Sequence, residues 1–212
     1  MLPFLFYVAF GSSFVPMIIG LVRYKNLEKG VRALVVLCVA NCCQTTLSFV
    51  LSMIRVRNLE LLNDYRPVEI VLLGAVFYLL VQSRLVQRIV VACVALYVLV
   101  WLADKFTLDD PSQLNNRMAM LSRLIAIIIS IAALYSGQKS LSGSFLRSSL
   151  FWVGTAVLLY SSGTLLLLGW SNQLAKSGMD TFITAWQINW VLLIMANLFY
   201  MKGLLCKPPR QI

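Results

Sequence analysis

The sequence predicts an all-α, polytopic integral membrane protein: one domain over residues 1–212, built as a seven-helix bundle. Three observations predict it. Hydrophobic residues fill 60% of the 212 positions and charged residues only 12%, against about 45 to 50% and about 25% in soluble domains. Mean hydropathy is +0.83. The apolar residues also gather into long runs between short polar stretches. With roughly 20 residues needed per crossing, the length holds about seven spans and no separate soluble domain.

The first run, 2–22, is too long for the apolar part of a signal peptide and has no basic residue before it, so it is expected to be retained as a span. The second, 33–54, carries Cys38, Asn41, Cys42, Cys43, Gln44, Thr45, Thr46 and Ser48. That is more polar surface than lipid tolerates, so this helix is expected to face its neighbours. Residues 58–69, N-L-E-L-L-N-D-Y-R-P-V-E, form a polar bridge into a third span at 67–81. Pro67 suits the first turn of that span, where its missing N–H is no loss. Residues 82–88 read as a basic turn, and a fourth span follows at 89–106. The segment 104–117, with Asp104, Asp109, Asp110, Pro111, Asn115 and Asn116, is the clearest loop. A fifth span at 118–135 has Arg123 near its start. A Gly/Ser-rich basic stretch leads to the sixth at 150–170, a polar connector covers 171–181, and the seventh runs over 182–205. Cys206, Lys207, Pro208, Pro209 and Arg210 form a basic tail.

Cytoplasmic loops keep Lys and Arg. Alternate loops plus the tail hold 11 of the 18 basic residues, and the other side holds seven of the eight acids. The expected topology is therefore N-terminus outside and C-terminus cytoplasmic. The net charge of +10 is spread among loops rather than gathered into a patch with interleaved aromatics, so no nucleic-acid partner is expected. The chain has no His, which removes the commonest metal ligand and the usual neutral-pH proton shuttle. No cofactor or metal is expected. Cys38 and Cys42 stand one turn apart, yet with neither His nor a C-x-x-C pair they read as small packing residues.

Two constellations remain. One lies at the outer ends of the spans: Asn58, Asp64, Tyr65, Arg66, Glu69, Asn115, Asn116, Arg117, Arg123, Asn172, Trp186, Gln187, Asn189 and Trp190. Glu69 and Arg123 are the ionisable residues that enter spans, and pairing would offset both desolvation costs. The functional reading is a pocket binding a small polar or amphiphilic ligand through Asn58, Tyr65, Glu69, Arg123, Gln187 and Trp190. The plainer reading is an interfacial belt of aromatic anchors and a salt-bridge lid. The second constellation is a deeper polar network of Ser12, Asn41, Gln44 and Asn197, with Ser13 and Thr45 nearby. It reads as hydrogen-bonded glue between helices ahead of a transport path. The sequence has no G-x-S-x-G elbow, phosphate-cradling loop or paired carboxylates on one helix face, so no catalytic residue is assigned; an interfacial hydrolase using Asp64 and Tyr65 is a minor alternative.

The segment 58–69 resembles a group of short seven-span membrane proteins common in Bacteroidota. So do the aromatic pair Phe151 and Trp152 with Tyr160 in the sixth span, and the ending N-L-F-Y-M-K-G-L-L-C-K at 197–207. The resemblance extends over nearly the whole chain and implies a bacterial inner (plasma) membrane and seven helices; it carries no activity. The reading that follows is a receptor-like or sensory protein in contact with membrane lipids, a small-molecule ligand and a cytoplasmic or membrane protein partner. A small-solute transporter comes second, and an intramembrane enzyme acting on lipid third.

Overall fold

The computed structural model describes residues 3–54, 56, 58–107, 115–140 and 145–206. Among them the chain forms eight α-helices and no strand: α1 (Phe4–Arg23), α2 (Lys29–Met53), α3 (Leu59–Leu80), α4 (Arg84–Thr107), α5 (Asn116–Ser140), α6 (Ser149–Gly169), the short α7 (Ser171–Lys176) and α8 (Met179–Leu205). Six of these, all but α3 and α7, are long and apolar enough to cross a membrane, which marks a multi-pass membrane protein. The outward surface agrees with this: Ile18, Leu85, Leu99 and Ile131 are exposed side chains that hydrocarbon accepts and water does not.

The expected boundaries need correction in four places. The stretch 58–69 is not a bridge but the first three turns of α3, because Leu59, Glu60, Leu61 and Leu62 are good helix formers, while Asn63, Asp64, Arg66 and Glu69 lower the hydropathy that would have revealed the helix. Pro67 therefore lies inside α3 rather than in its first turn, and it deprives the Asn63 carbonyl of its usual N–H. The basic turn at 82–88 is largely the start of α4, which takes in Arg84 and Arg88. Asp104 is not in a loop: it sits in the last turn of α4, buried, and accepts a hydrogen bond from the Asn115 side chain. The polar connector holds α7, and α8 begins after Gly178, whose φ of 119° is a conformation other residues rarely adopt. Asp109, Asp110 and Pro111 of the expected loop, and Lys207, Pro208, Pro209 and Arg210 of the tail, lie outside the described residues.

Local chemistry sets the helix starts. Ser148 caps α6 by accepting from the Phe151 N–H at 3.2 Å. The Asn115 carboxamide oxygen accepts from the Met118 N–H at 3.1 Å at the head of α5.

Registers fix the directions. Contacts between α1 and α2 pair Phe6 with Phe49, Ser13 with Cys42 and Gly20 with Val35, so one number falls as the other rises and the helices are antiparallel. The same holds for α5 with α6 and for α6 with α8. By contrast α1 and α8 run parallel, joined at Phe6 to Trp190, Ser12 to Asn197 and Arg23 to Leu204. Neighbour relations follow α1, α2, α3, α5, α6, α8 and back to α1, a closed ring of six, with α4 packed outside it against α3 and α5. Small residues allow close passage: Ser149 Oγ donates to the Gly203 carbonyl at 2.9 Å, and a Cβ on Gly203 would meet Val153 Cγ2 at 3.0 Å. Toward the end where α1 stops, the ring is filled by Leu34, Leu73, Phe77, Val153 and Leu204, all buried. Toward the end where α1, α3, α5 and α8 begin, it is not filled.

Candidate functional site in the helix ring

That unfilled end holds a cavity of about 390 Å³, within the range of small-molecule sites. Each long helix of the ring presents one face to it. From α1 come Phe6, Ala9, Phe10, Ser13 and Pro16; from α2, Cys38, Asn41, Gln44, Thr45 and Ser48; from α3 and the residue before it, Asn58, Leu62, Tyr65, Arg66 and Glu69. Helix α8 adds a stripe from Trp186 through Asn189, Trp190, Leu193 and Asn197 to Tyr200. These spacings of three and four are those of a single helix face. Arg123 of α5 and Tyr160 of α6 complete the wall, and α4 contributes nothing.

The geometry brings Glu69 and Arg123 together. Arg123 Nη1 donates to Glu69 Oε1 at 3.0 Å and Nη2 to Oε2 at 3.4 Å, a fork on a carboxylate, with the two side chains 10% and 20% exposed. The Arg123 guanidinium also lies over the Tyr160 ring, 4.9 Å from its centroid. Tyr160 in turn donates its hydroxyl to the Asn189 side-chain oxygen at 3.2 Å. The chain of contacts thus joins α3, α5, α6 and α8 across the cavity wall. Arg66, one turn before Glu69, is buried, and its Nε has no hydrogen-bond partner among the described residues.

The network expected deeper in the bundle belongs to the same cavity. Tyr65 donates to the Asn41 side-chain oxygen at 2.6 Å, linking α3 to α2. Asn58 Nδ2 donates to the Ser48 carbonyl at 3.2 Å, and Gln44 Nε2 to Ser48 Oγ at 2.9 Å. Asn197 Nδ2 donates to Ser12 Oγ at 2.9 Å and to Ser13 Oγ at 3.2 Å, tying α8 to α1. Ser12 supports the wall from behind without lining the cavity. A ring cluster of Phe6, Phe10, Phe49 and Trp190, with centroids 5.4 to 6.3 Å apart, makes one side strongly aromatic.

Some members of the outer cluster fall elsewhere. Gln187 is exposed and outside the cavity, because one residue along α8 from Trp186 turns it about 100° away from the lining stripe. Asp64 pairs with Lys105 of α4 at 2.6 Å on the ring's outer face. Asn116 donates to the Gly169 carbonyl and accepts from Ser171, so it fastens α5 to α6 and α7. Phe6, Phe10, Tyr160 and Tyr200 line the cavity although the pattern of polar residues does not single them out. Their signal was a recurrence at helical spacing with polar residues, as in Phe6, Phe10 and Ser13, which uniformly apolar helices obscure. Among the described residues no group of three or more metal-ligating side chains is present. Comparison of the chain with protein-family models, with curated proteins and with solved structures returns no match.

Proposed function

We propose that the chain is a receptor-like, seven-span protein of a bacterial inner membrane that binds a small polar or amphiphilic ligand in the ring cavity. In this reading α3 is the seventh span, kept out of the purely apolar set by Glu60, Asp64, Arg66 and Glu69. The excess of Lys and Arg on the alternate loops favours a cytoplasmic C-terminus, which makes the cavity face outward. The resemblance to short seven-span proteins supports the inner-membrane placement.

One observation carries the reading: the cavity is polar and charged in its wall but closed below by Leu34, Leu73, Phe77 and Leu204. Polar walls of this kind are costly unless they serve a solute, and an apolar floor favours holding the solute over passing it through. With the ligand held, a signal would leave through the basic loops of the opposite end to a partner protein.

Single cysteines in a background with the five natural ones replaced test this. Thr45→Cys in the cavity should react with a membrane-impermeant maleimide added outside, and Leu34→Cys in the floor should react from neither side. Reaction of Leu34→Cys from the cytoplasmic side would support the small-solute transporter instead.

A further inference from the structure

We infer that the ligand of this cavity carries an oxyanion, a carboxylate or phosphate ester on an apolar body, and that Arg66 is the residue that receives it. The inference rests on the proposed reading of the cavity as a ligand site and adds the chemical class. Its basis is charge balance at the wall. Among the described residues, the charged side chains lining the cavity are Arg66, Arg123 and Glu69, two guanidiniums against one carboxylate. Glu69 spends both oxygens on Arg123. Arg66 is 7% exposed, lines the cavity, and has a buried Nε with no hydrogen-bond partner among the described residues.

Among the described residues, the acids nearby do not supply the missing charge. Asp64, two residues earlier, is turned to the ring's outer face and held by Lys105. Asp104 is buried at the end of α4 and engaged by Asn115. With Glu69 forked on Arg123, one net positive charge remains in the described wall. An uncompensated buried guanidinium is expensive, and unlike Lys or His it does not escape by losing its proton. A planar fork of N–H donors in a cavity is matched by an oxyanion, which takes two of them at once. The aromatic cluster of Phe6, Phe10 and Trp190 on the same cavity supplies an apolar surface for the remainder of the molecule.

The test uses the full chain in nanodiscs of zwitterionic phosphatidylcholine at neutral pH. Four probes with the same tail are used: octanoate, octyl phosphate, octanol and octylammonium. Binding is read from tryptophan emission, since Trp186 and Trp190 line the cavity, after subtraction of partition into empty discs. The expected result is that octanoate or octyl phosphate binds at least about tenfold more tightly than octanol, with octylammonium weakest. Arg66→Gln should abolish that preference, read as the ratio of octanoate to octanol affinity within the same variant, while Arg66→Lys should keep part of it. Circular dichroism checks that each variant is folded, and the head-group series on the native chain stands whether or not Arg66→Gln folds. Octanol binding as tightly as octanoate, or a preference that survives in folded Arg66→Gln, overturns the inference and leaves the ligand cavity standing. If none of the four probes binds, the reading of the cavity as an amphiphile site falls and takes the inference with it. Discs containing phosphatidylglycerol separate two sources of the anion: octanoate binding lost in them assigns Arg66 to a lipid headgroup, and binding retained assigns it to a free amphiphile.

Discussion

At the scale of single residues, the Glu69 carboxylate neutralises one guanidinium directly and softens the field of another. Breaking a buried pair leaves the surviving charge desolvated, which costs more than the pair itself contributed. Glu69→Gln should therefore destabilise the protein by about 3 kcal/mol, seen as a lower midpoint of thermal unfolding in detergent. Replacing Glu69 and Arg123 together with Met should recover more than half of that loss, because no charge of the pair is then stranded. An unchanged midpoint in Glu69→Gln would mean that the fork carries no weight. Tyr160→Phe keeps the ring over Arg123 and removes only the hydrogen bond to Asn189, so a smaller loss of about 1 kcal/mol is expected in the same measurement. The pair was legible in the sequence because an acid and an arginine each entered an apolar run at similar depth. The position of Arg66 was less legible: with 58–69 taken as a bridge, it was a member of the outer cluster but not among the expected ligand-binding residues.

At the scale of helices, the sequence located seven long segments within a few residues at most ends but misplaced the start of α3 by eight. Hydropathy defines where a helix is apolar, and α3 begins before it becomes so. Which face of each helix turns inward was hidden for a related reason: in an apolar helix the amphipathic stripe that orients a soluble helix is faint, and the polar residues alone marked it. On α2 those residues sufficed, since Asn41, Gln44, Thr45 and Ser48 all reach the cavity. On α8 they did not: Gln187 was grouped with Trp190, yet it falls beside the lining stripe, exposed and outside the cavity. Midway along the seam between α1 and α8, one carboxamide donates to two serines. Inter-helix hydrogen bonds in membranes average about 0.6 kcal/mol, so Asn197→Ala should cost about 1 kcal/mol in an unfolding titration with denaturing detergent. Asn197→Asp, which keeps the size but loses the donor, should cost at least as much.

For the molecule as a whole, residue composition pointed to a multi-pass membrane protein, and six of the helices are long and apolar enough to span a bilayer. The order in which helices meet was not readable, because nothing in an apolar run says whether α3 touches α4, α5 or both. The two polar constellations consequently read as separate layers, whereas the ring makes them opposite parts of one wall. Sidedness is a prediction at this scale. In the cysteine-free background, Ser177→Cys, exposed between α7 and α8, should react with an impermeant maleimide on intact cells. Leu146→Cys, exposed at the opposite end before α6, should react only after lysis. The reverse pattern would place the cavity on the cytoplasmic side.

The parallel seam between the first and last long helices has a consequence for biosynthesis. The ribosome delivers α8 after the other walls of the chamber, so during translation Ser12, Ser13, Asn41 and the Glu69–Arg123 couple border a gap until α8 docks against α1 and α6. A nascent chain stalled after α6 would therefore present an open polar slit within its ring of helices.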